Sequence, residues 1–169
     1  MFPAVCLVAL ALLALAACYL DVISFTLPNW LTAATAVLFF IFAGAMYFAG
    51  FLQLNDIGLA TLAGAVTLAL GIVLFALGGL GGGDVKYLAA AILWAAPVGL
   101  LDFIFTTSIA GAFVAIIYLV APRLVALIVG QRARDAASAS GFKRPMPYGV
   151  AISGGLAMVI WHWAVRLTA

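Results

Sequence analysis

Charged side chains are scarce in this chain. Only 7% of its 169 residues are charged, a single histidine is present, and all five acidic residues are aspartates. The net charge is only +2, so the chain lacks the concentrated basic surface that binds a phosphate backbone, and no nucleic-acid partner is expected. Apolar side chains dominate instead: 69% of the residues are hydrophobic and the mean hydropathy is +1.35. This composition predicts an integral membrane protein in contact with a lipid bilayer.

The chain has only two cysteines, Cys6 and Cys18, and both lie in its first apolar run. They have neither the C-x-x-C spacing nor the neighbouring histidines of a zinc site, so no metal is expected and both are predicted to be small apolar wall residues. The stretch LAAC at 15–18 is similar to a lipoprotein cleavage site. No Lys or Arg precedes it, however, so a permanent helix is favoured over a cleaved signal.

Six apolar runs are each long enough to cross a bilayer, which takes about 20 residues per helix. The predicted fold is therefore an all-α, polytopic membrane helical bundle with six transmembrane helices, forming one domain over residues 1–169. Small residues, among them Gly44, Gly64 and Gly155, are expected to let helices approach closely. The predicted spans are 2–20, 31–51, 59–77, 85–101, 103–121 with an alternative end at 129, and 148–165.

The connection between the fifth and sixth spans holds most of the basic residues. Short loops rich in Lys and Arg stay in the cytoplasm, so this connection is predicted to face the cytoplasm, as are the connections after the first and third spans. Asp21 follows the first span and Asp84 the third, whereas Asp56 and Asp102 fall on the opposite side. The basic connection contains Arg132, Arg134, Lys143 and Arg144, with Arg123 nearby and Asp135 among them.

Topology thus selects Asp21 and Asp84 as two carboxyls on one face, which would meet if the first and fourth helices bundle. Two carboxyls held within a few ångströms cannot both ionise easily, so the pair shares a proton. The ionised member can then take a proton from water while the protonated member hydrogen-bonds the carbonyl of a peptide bond. The sequence leaves open which aspartate takes which role.

The stretch GGLGGGDVKY at 78–87 places five glycines before Asp84. Gly81 and Gly83 are predicted to let a substrate backbone approach the carboxyl and to adopt positive φ values that turn it inward. The alternative is that the glycines end one helix and Asp84 is the N-cap of the next. Lys86 does not share a helix face with Asp84, so it is predicted to extend to the membrane surface, with a role in tuning the pair as the alternative.

Three further features are interpreted as structural. Pro28 and Asn29, in LPNW, predict the start of a helix beside the membrane surface. His162, between two tryptophans, is predicted to belong to an interfacial aromatic girdle on the side opposite the aspartate pair, and Tyr87 to a similar belt. Pro97 and Pro122 are expected to kink helices.

Two of these stretches together resemble the catalytic motifs of the type IV prepilin peptidases, which belong to the GxGD class of aspartic proteases. In DVISFTLPNW, Asp21 precedes the Pro28-Asn29 pair, and in GGGDVKY the G-x-G-D pattern ends at Asp84 and is followed by Lys86. The stretch KRPMPYGVAISGG at 143–155 is similar to the segment that leads into the last helix of the same family. One departure is that residues 22–27 are mostly apolar, where family members often carry basic residues.

The resemblance implies a multi-pass protein of the bacterial inner membrane that removes the short basic leader of type IV pilin precursors on the cytoplasmic side. Asp21 and Asp84 would be the catalytic pair, and Gly81, Gly83, Lys86, Pro28 and Asn29 would bind substrate or support the loops. No cofactor is implied. The compact size suggests the small branch associated with tight-adherence (Flp-type) pili. N-methyltransferase activity is not expected, because only 20 residues precede Asp21 and paired C-x-x-C motifs are absent.

Two other functions compete with the peptidase. The first is a small ion- or proton-coupled transporter or channel subunit, but its acids would lie in mid-span and no inverted repeat is visible. The second is a non-catalytic assembly subunit of a pilus or secretion machine. Presenilin-like proteases also use G-x-G-D, but the chain lacks their Pro-Ala-Leu triplet. A homo-oligomer is compatible with the sequence, which does not define the number of subunits.

Overall fold

The computed structural model describes the backbone of residues 2–129 and 146–168 and the side chains of residues 2–121 and 146–168. These residues form six α-helices and no strand, which confirms the all-α prediction. Five helices are long and apolar enough to cross a membrane, namely α1, α2, α3, the Leu100–Ala121 part of α5, and α6. The helices are α1 (Phe2–Ser24), α2 (Asn29–Phe48), α3 (Leu54–Ala76), α4 (Gly82–Ala95), α5 (Leu100–Val129) and α6 (Tyr148–Thr168).

The fourth predicted span, 85–101, is not confirmed at spanning length. α4 has 14 residues, which at 1.5 Å per residue is about 21 Å, shorter than the hydrocarbon core of about 30 Å. Residues 96–98 form a turn, and α5 begins at Leu100. Pro97 lies in this turn and therefore separates two helices, where a kink within one helix was expected.

Other helix boundaries move by a few residues. α1 continues to Ser24, four residues beyond its predicted end, so Asp21 is helical. α3 begins at Leu54 because Gln53 caps it: the Gln53 N–H donates to Asp56 Oδ2 at 2.9 Å. α5 runs through Pro122 to Val129, which is the alternative end of the fifth span. The four basic residues predicted between the last two spans, at 132, 134, 143 and 144, lie outside the described residues.

α4 forms the centre of the bundle. It packs on α2, α3 and α6, and α6 in turn packs on α1 and α5. The interior away from the aspartates is aromatic: Phe42 lies 5.1 Å from Trp94 and 4.8 Å from Trp163, measured between ring centroids. Both indole N–H groups donate to main-chain oxygens, Trp94 to Thr35 at 3.0 Å and Trp163 to Trp94 at 3.1 Å. These bonds satisfy the polar atoms of large buried side chains and lock α2, α4 and α6 together.

Two of the predicted small-residue contacts are present and one is absent. A side chain at Gly64 would meet Leu93 of α4, and one at Gly155 would meet Phe103 of α5, so both glycines bring helices close together. Nothing lies within 4 Å of the position that a side chain at Gly44 would occupy. The prediction for Gly44 is therefore wrong, because this face of α2 meets no other helix there.

The end of the bundle opposite the aspartate pair holds the only histidine. His162 Nδ1 lies 3.9 Å from Asp102 Oδ2, and both side chains are partly exposed. Trp161 is exposed, as an interfacial girdle requires, but Trp163 is 1% exposed and belongs to the core. Tyr87 is fully buried, so its assignment to an interfacial belt is also wrong.

Candidate active site

Asp21 is a buried carboxyl in the last turn of α1. Its side chain is 2% exposed, and it is one of two buried polar residues among those described. The Gly149 N–H donates to Asp21 Oδ2 at 2.6 Å, and the Val150 N–H also bonds this carboxyl. Both N–H groups belong to the first turn of α6, the positive end of the helix dipole. The sequence placed Asp21 in a loop, but α1 extends past it and α6 covers it.

Asp84 lies in the first turn of α4, outside the five spanning helices. Gly81 is the N-cap residue of α4, and its N–H bonds the Asp84 carboxyl. Asp84 is therefore the third residue of the helix, and the alternative interpretation in which it is the N-cap is wrong. Unlike Asp21, it is only partly buried.

The two carboxyls are close enough for the charge of one to act on the other. The pKa of Asp84 is raised to about 6: burial is the main cause, the negative charge of Asp21 acts in the same direction, and the hydrogen bond from the Gly81 N–H acts against both. α1 and α4 make no extensive contact with each other within the described residues, and each packs instead on α2 and α6. The aspartates thus approach each other through shared neighbours, and not by direct bundling of the first and fourth helices.

The glycines before Asp84 serve different purposes. Gly78 has a φ of +76° and ends α3, as a left-handed C-terminal glycine does. Gly81 has a φ of −73°, and neither it nor Gly83 has a positive φ, so that part of the prediction is wrong. What both positions require is space: a Cβ at Gly81 would lie 2.5 Å from Asp84 Oδ2, and one at Gly83 would lie 3.0 Å from the Leu27 carbonyl oxygen.

A hydrogen bond joins the end of the loop between α1 and α2 to α4, close to Asp84. Pro28 is the N-cap residue of α2 and the helix begins at Asn29, which confirms the helix start predicted here. The Lys86 ammonium donates to Asn29 Oδ1 at 2.9 Å. Lys86 is exposed, as an anchor at the membrane surface is expected to be, but it also joins the two stretches that carry the aspartates.

A second polar layer lies beneath the carboxyls. Tyr87, three residues after Asp84, has its hydroxyl 3.3 Å from Ser153 Oγ, and Ser153 Oγ donates to the Ala14 carbonyl at 3.0 Å. The negative charge of Asp21 acts on the Tyr87 hydroxyl, so this layer is close to the two aspartates. The layer joins α4, α6 and α1, the same three helices that supply Asp84, Gly149 and Asp21.

Sequence reasoning missed Gly149, Ser153 and the buried position of Tyr87. Gly149 and Ser153 both lie in the stretch 143–155, which was singled out only as a whole. Their spacing of four residues puts them on one face of α6, but no local pattern shows that this face meets Asp21, which is 128 residues away.

Metal-ligating side chains do not cluster here. Among the residues that the structure describes, no three His, Cys, Asp or Glu side chains could hold one ion. Cys6 is buried, Cys18 is partly buried, and both are free thiols.

The fold and this site define a multi-pass helical membrane protein with two interacting carboxyls at one end of its bundle. The sequence model of the type IV leader peptidase family matches residues 8–116, a range that includes both Asp21 and Asp84. Because this range is more than half of the chain, the protein belongs to the type IV leader peptidase family. No curated protein and no solved structure matched the chain. Family membership makes the protein a membrane protease of the leader-peptidase kind, for which a pilin precursor is the substrate.

Proposed function

We propose that the protein is an aspartic endopeptidase that uses Asp21 and Asp84 to cut the leader from pilin precursors at the cytoplasmic face of the bacterial cell membrane. The observation that carries the proposal is the pair itself: two carboxyls from separate helices interact, and their hydrogen-bond partners differ. A pair in unequal surroundings can hold one proton and supply one base and one acid.

The surroundings favour Asp21 as the base. Burial by itself opposes a charge on Asp21, but amide N–H groups can only donate, so those of Gly149 and Val150 favour a carboxylate acceptor over a protonated one, and the dipole of α6 adds to this. Asp84 has a pKa of about 6, so it keeps its proton far more readily than an ordinary aspartate. Asp84 is also the more exposed of the two, and a peptide that approaches from that side meets the acid first.

The reaction then follows from these roles. Asp21 removes a proton from a water molecule as its oxygen attacks the peptide carbonyl carbon, and Asp84 gives its proton to the carbonyl oxygen. When the C–N bond of the tetrahedral intermediate breaks, the amine leaves with the proton that Asp21 took, and the proton on the former carbonyl oxygen returns to Asp84. The loop contacts of Gly81, Gly83, Pro28, Asn29 and Lys86 support this arrangement by fixing the ends of α1 and α4.

The cytoplasmic location is supported by charge. The aspartate end carries Lys86 and the opposite end carries Arg166, and the sequence that connects α5 to α6 contains four further basic residues. This asymmetry is typical of a cytoplasmic face. The Flp-type branch is proposed from the family resemblance, and the lack of C-x-x-C pairs in this sequence favours a peptidase without N-methyltransferase activity.

Cleavage by the purified full-length chain tests this proposal. A Flp-type pilin precursor is incubated with the protein in detergent, and the shortened product is identified by mass. Asp21→Asn and Asp84→Asn should each lower the rate by about a thousandfold or more, because neither amide can do acid–base chemistry. Asp102→Asn, an exposed aspartate at the opposite end, is the matched control and should retain full activity.

Two results would contradict the proposal. One is cleavage that survives in a folded Asp21→Asn or Asp84→Asn variant. The other is a wild-type chain that leaves Flp-type and other type IV precursors uncut, which would favour the transport or assembly functions. A parallel incubation with a type IV pilin precursor from outside the Flp group separates the branches, since preference for that precursor would overturn only the Flp-type assignment.

A further inference from the structure

The relative position of the two carboxyls depends on helices that pack between them. α1 and α4 each pack on α6, and α6 contacts them at two successive levels. At the first level Gly149 bonds Asp21. At the second level, one turn further along α6, Ser153 bonds the Ala14 carbonyl of α1 and the Tyr87 hydroxyl of α4.

The direction of these bonds can be worked out. Ser153 has one hydroxyl proton, and the Ala14 carbonyl can only accept, so that proton lies on the Ala14 side. Tyr87 must then donate its proton to Ser153 Oγ. Burial raises the pKa of Tyr87 to about 12, so the phenol keeps this proton at any working pH. The bond chain runs Tyr87 to Ser153 to Ala14 and joins three helices.

Residues three apart lie on one face of a helix, so the rotation of α4 that places the Tyr87 hydroxyl on Ser153 also sets the direction of Asp84. We propose that Tyr87 is a positioning residue for the proposed reaction: through Ser153 it holds α4 at the rotation in which Asp84 faces Asp21. This inference rests on the proposed function, but it concerns a residue that contacts neither water nor peptide in that reaction.

The effect of the Asp21 charge on Asp84 depends on the rotation of α4, so the protonation of Asp84 is a measure of that rotation. Among the side chains that the structure describes, the titratable groups at the aspartate end of the elements around α4 are Asp21, Cys18 and Tyr19 on α1, Tyr148 on α6 and Tyr118 on α5, with Lys86 and Tyr87 on α4 itself. Asp21 is the one among them whose charge acts on Asp84. The others described on these elements lie toward the opposite end, namely Cys6, Tyr47, Asp56, Asp102, His162 and Arg166. If α4 turns away, the Asp84–Asp21 repulsion weakens and Asp84 loses its proton at lower pH.

The test compares Tyr87→Phe, Ser153→Ala and the double variant. Each single change should lower kcat by about tenfold with KM nearly unchanged, because a misplaced acid slows chemistry more than binding. The descending limb of the pH profile should move to lower pH. The double variant should be no worse than either single one, since both remove the same link. Tyr47→Phe and Ser108→Ala, both exposed residues, are the matched controls and should behave as wild type.

A second readout needs no substrate. The infrared band of the protonated Asp84 carboxyl, assigned by its loss in Asp84→Asn, is followed against pH in the substrate-free protein. Its midpoint should fall in Tyr87→Phe and Ser153→Ala but not in the controls. A rate that falls with an unmoved midpoint would mean a merely structural role and would overturn the inference. If the wild-type chain cuts no precursor, the proposed function fails, and the infrared midpoint alone still decides whether Tyr87 positions Asp84.

Discussion

At the scale of single residues, Asp84 differs from an ordinary surface aspartate because its carboxyl stays protonated to a higher pH. Its pKa of about 6 arises first from burial and then from the charge of Asp21, against the stabilising bond from the Gly81 N–H. The Asp21 carboxyl accepts hydrogen bonds from the N–H groups of Gly149 and Val150 at the start of α6. The proposed roles, Asp84 as the acid and Asp21 as the base, rest on this difference in surroundings, which the sequence alone does not show.

The protonation of Asp84 predicts how activity depends on pH. Because its pKa is raised, the Asp84 carboxyl is still protonated between about pH 4 and pH 6, where an ordinary aspartate is ionised. It loses its proton as the pH rises above about 6. The proposed acid is the protonated form, so kcat/KM should fall as the pH rises through about 6. Initial rates at low precursor concentration, measured from pH 5 to pH 8, check this. A profile that is flat or rises over the whole range would contradict the assignment of Asp84 as the acid.

Gly149 offers a second prediction at this scale. A Cβ at this position would lie 2.9 Å from Asp21 Oδ2, so Gly149→Ala should displace the carboxyl and lower kcat/KM by about tenfold or more. Gly154→Ala is the matched control in the same helix, since its Cβ would make an ordinary contact of 3.4 Å with Ala110. Alanine favours a helix over glycine, so the control should be as stable as wild type or more so. Equal activity of the two variants would count against the Asp21 contact.

At the scale of elements, α4 is short and closely surrounded, and both features place Asp84. The helix begins at Gly82, within the glycine-rich stretch that follows α3, and its first turn lies against the loop that leads from Asp21 into α2. Lys86 and Asn29 add a hydrogen bond across the same junction. The G-x-G-D stretch and the Pro-Asn stretch are therefore parts of one structural unit, although about 50 residues separate them.

Gly83 tests this junction. A Cβ at Gly83 would lie 3.0 Å from the Leu27 carbonyl oxygen, a main-chain atom next to Pro28 that cannot easily move away. Gly83→Ala should therefore cost about 1 kcal/mol of stability and lower activity, despite the better helix propensity of alanine. Gly82→Ala, whose Cβ would only touch the Phe75 ring at 3.4 Å, should be neutral or stabilising. Thermal unfolding of both variants in detergent decides this, and a Gly83→Ala protein as stable as Gly82→Ala would contradict the close contact.

At the scale of the whole molecule, much of the fold could be predicted because each membrane-spanning helix is a long apolar run in the sequence. The end of α4 could not, since residues 87–101 carry no charge and the turn at Pro97 ends the helix without ending the apolar run. The topology put Asp21 and Asp84 at one end of the bundle. The contacts of Asp21 with Gly149 and of Lys86 with Asn29 are tertiary, and an exposed lysine beside a helix has the same local pattern whether or not it finds such a partner.

The orientation in the membrane gives a prediction for the intact cell. With Cys6 and Cys18 replaced by serine, a single cysteine is placed at Thr26, at the aspartate end, or at Gln53, at the opposite end. Both positions are exposed. A membrane-impermeant maleimide should label Gln53→Cys in intact spheroplasts and Thr26→Cys only after permeabilisation, because the aspartate end is proposed to face the cytoplasm. The reverse pattern would contradict the proposed location of the active site.

The central claim is that Asp21 and Asp84 act as one pair, and the most direct measurement is the titration of Asp84 with and without the charge of Asp21. The infrared carboxyl band of Asp84 is followed against pH in the wild-type chain and in Asp21→Asn, with Asp102→Asn as the control. We predict a wild-type midpoint of about 6 that falls in Asp21→Asn, while staying above that of an ordinary aspartate because burial remains. A midpoint that is the same in all three proteins would show that the two carboxyls do not interact and would contradict the account.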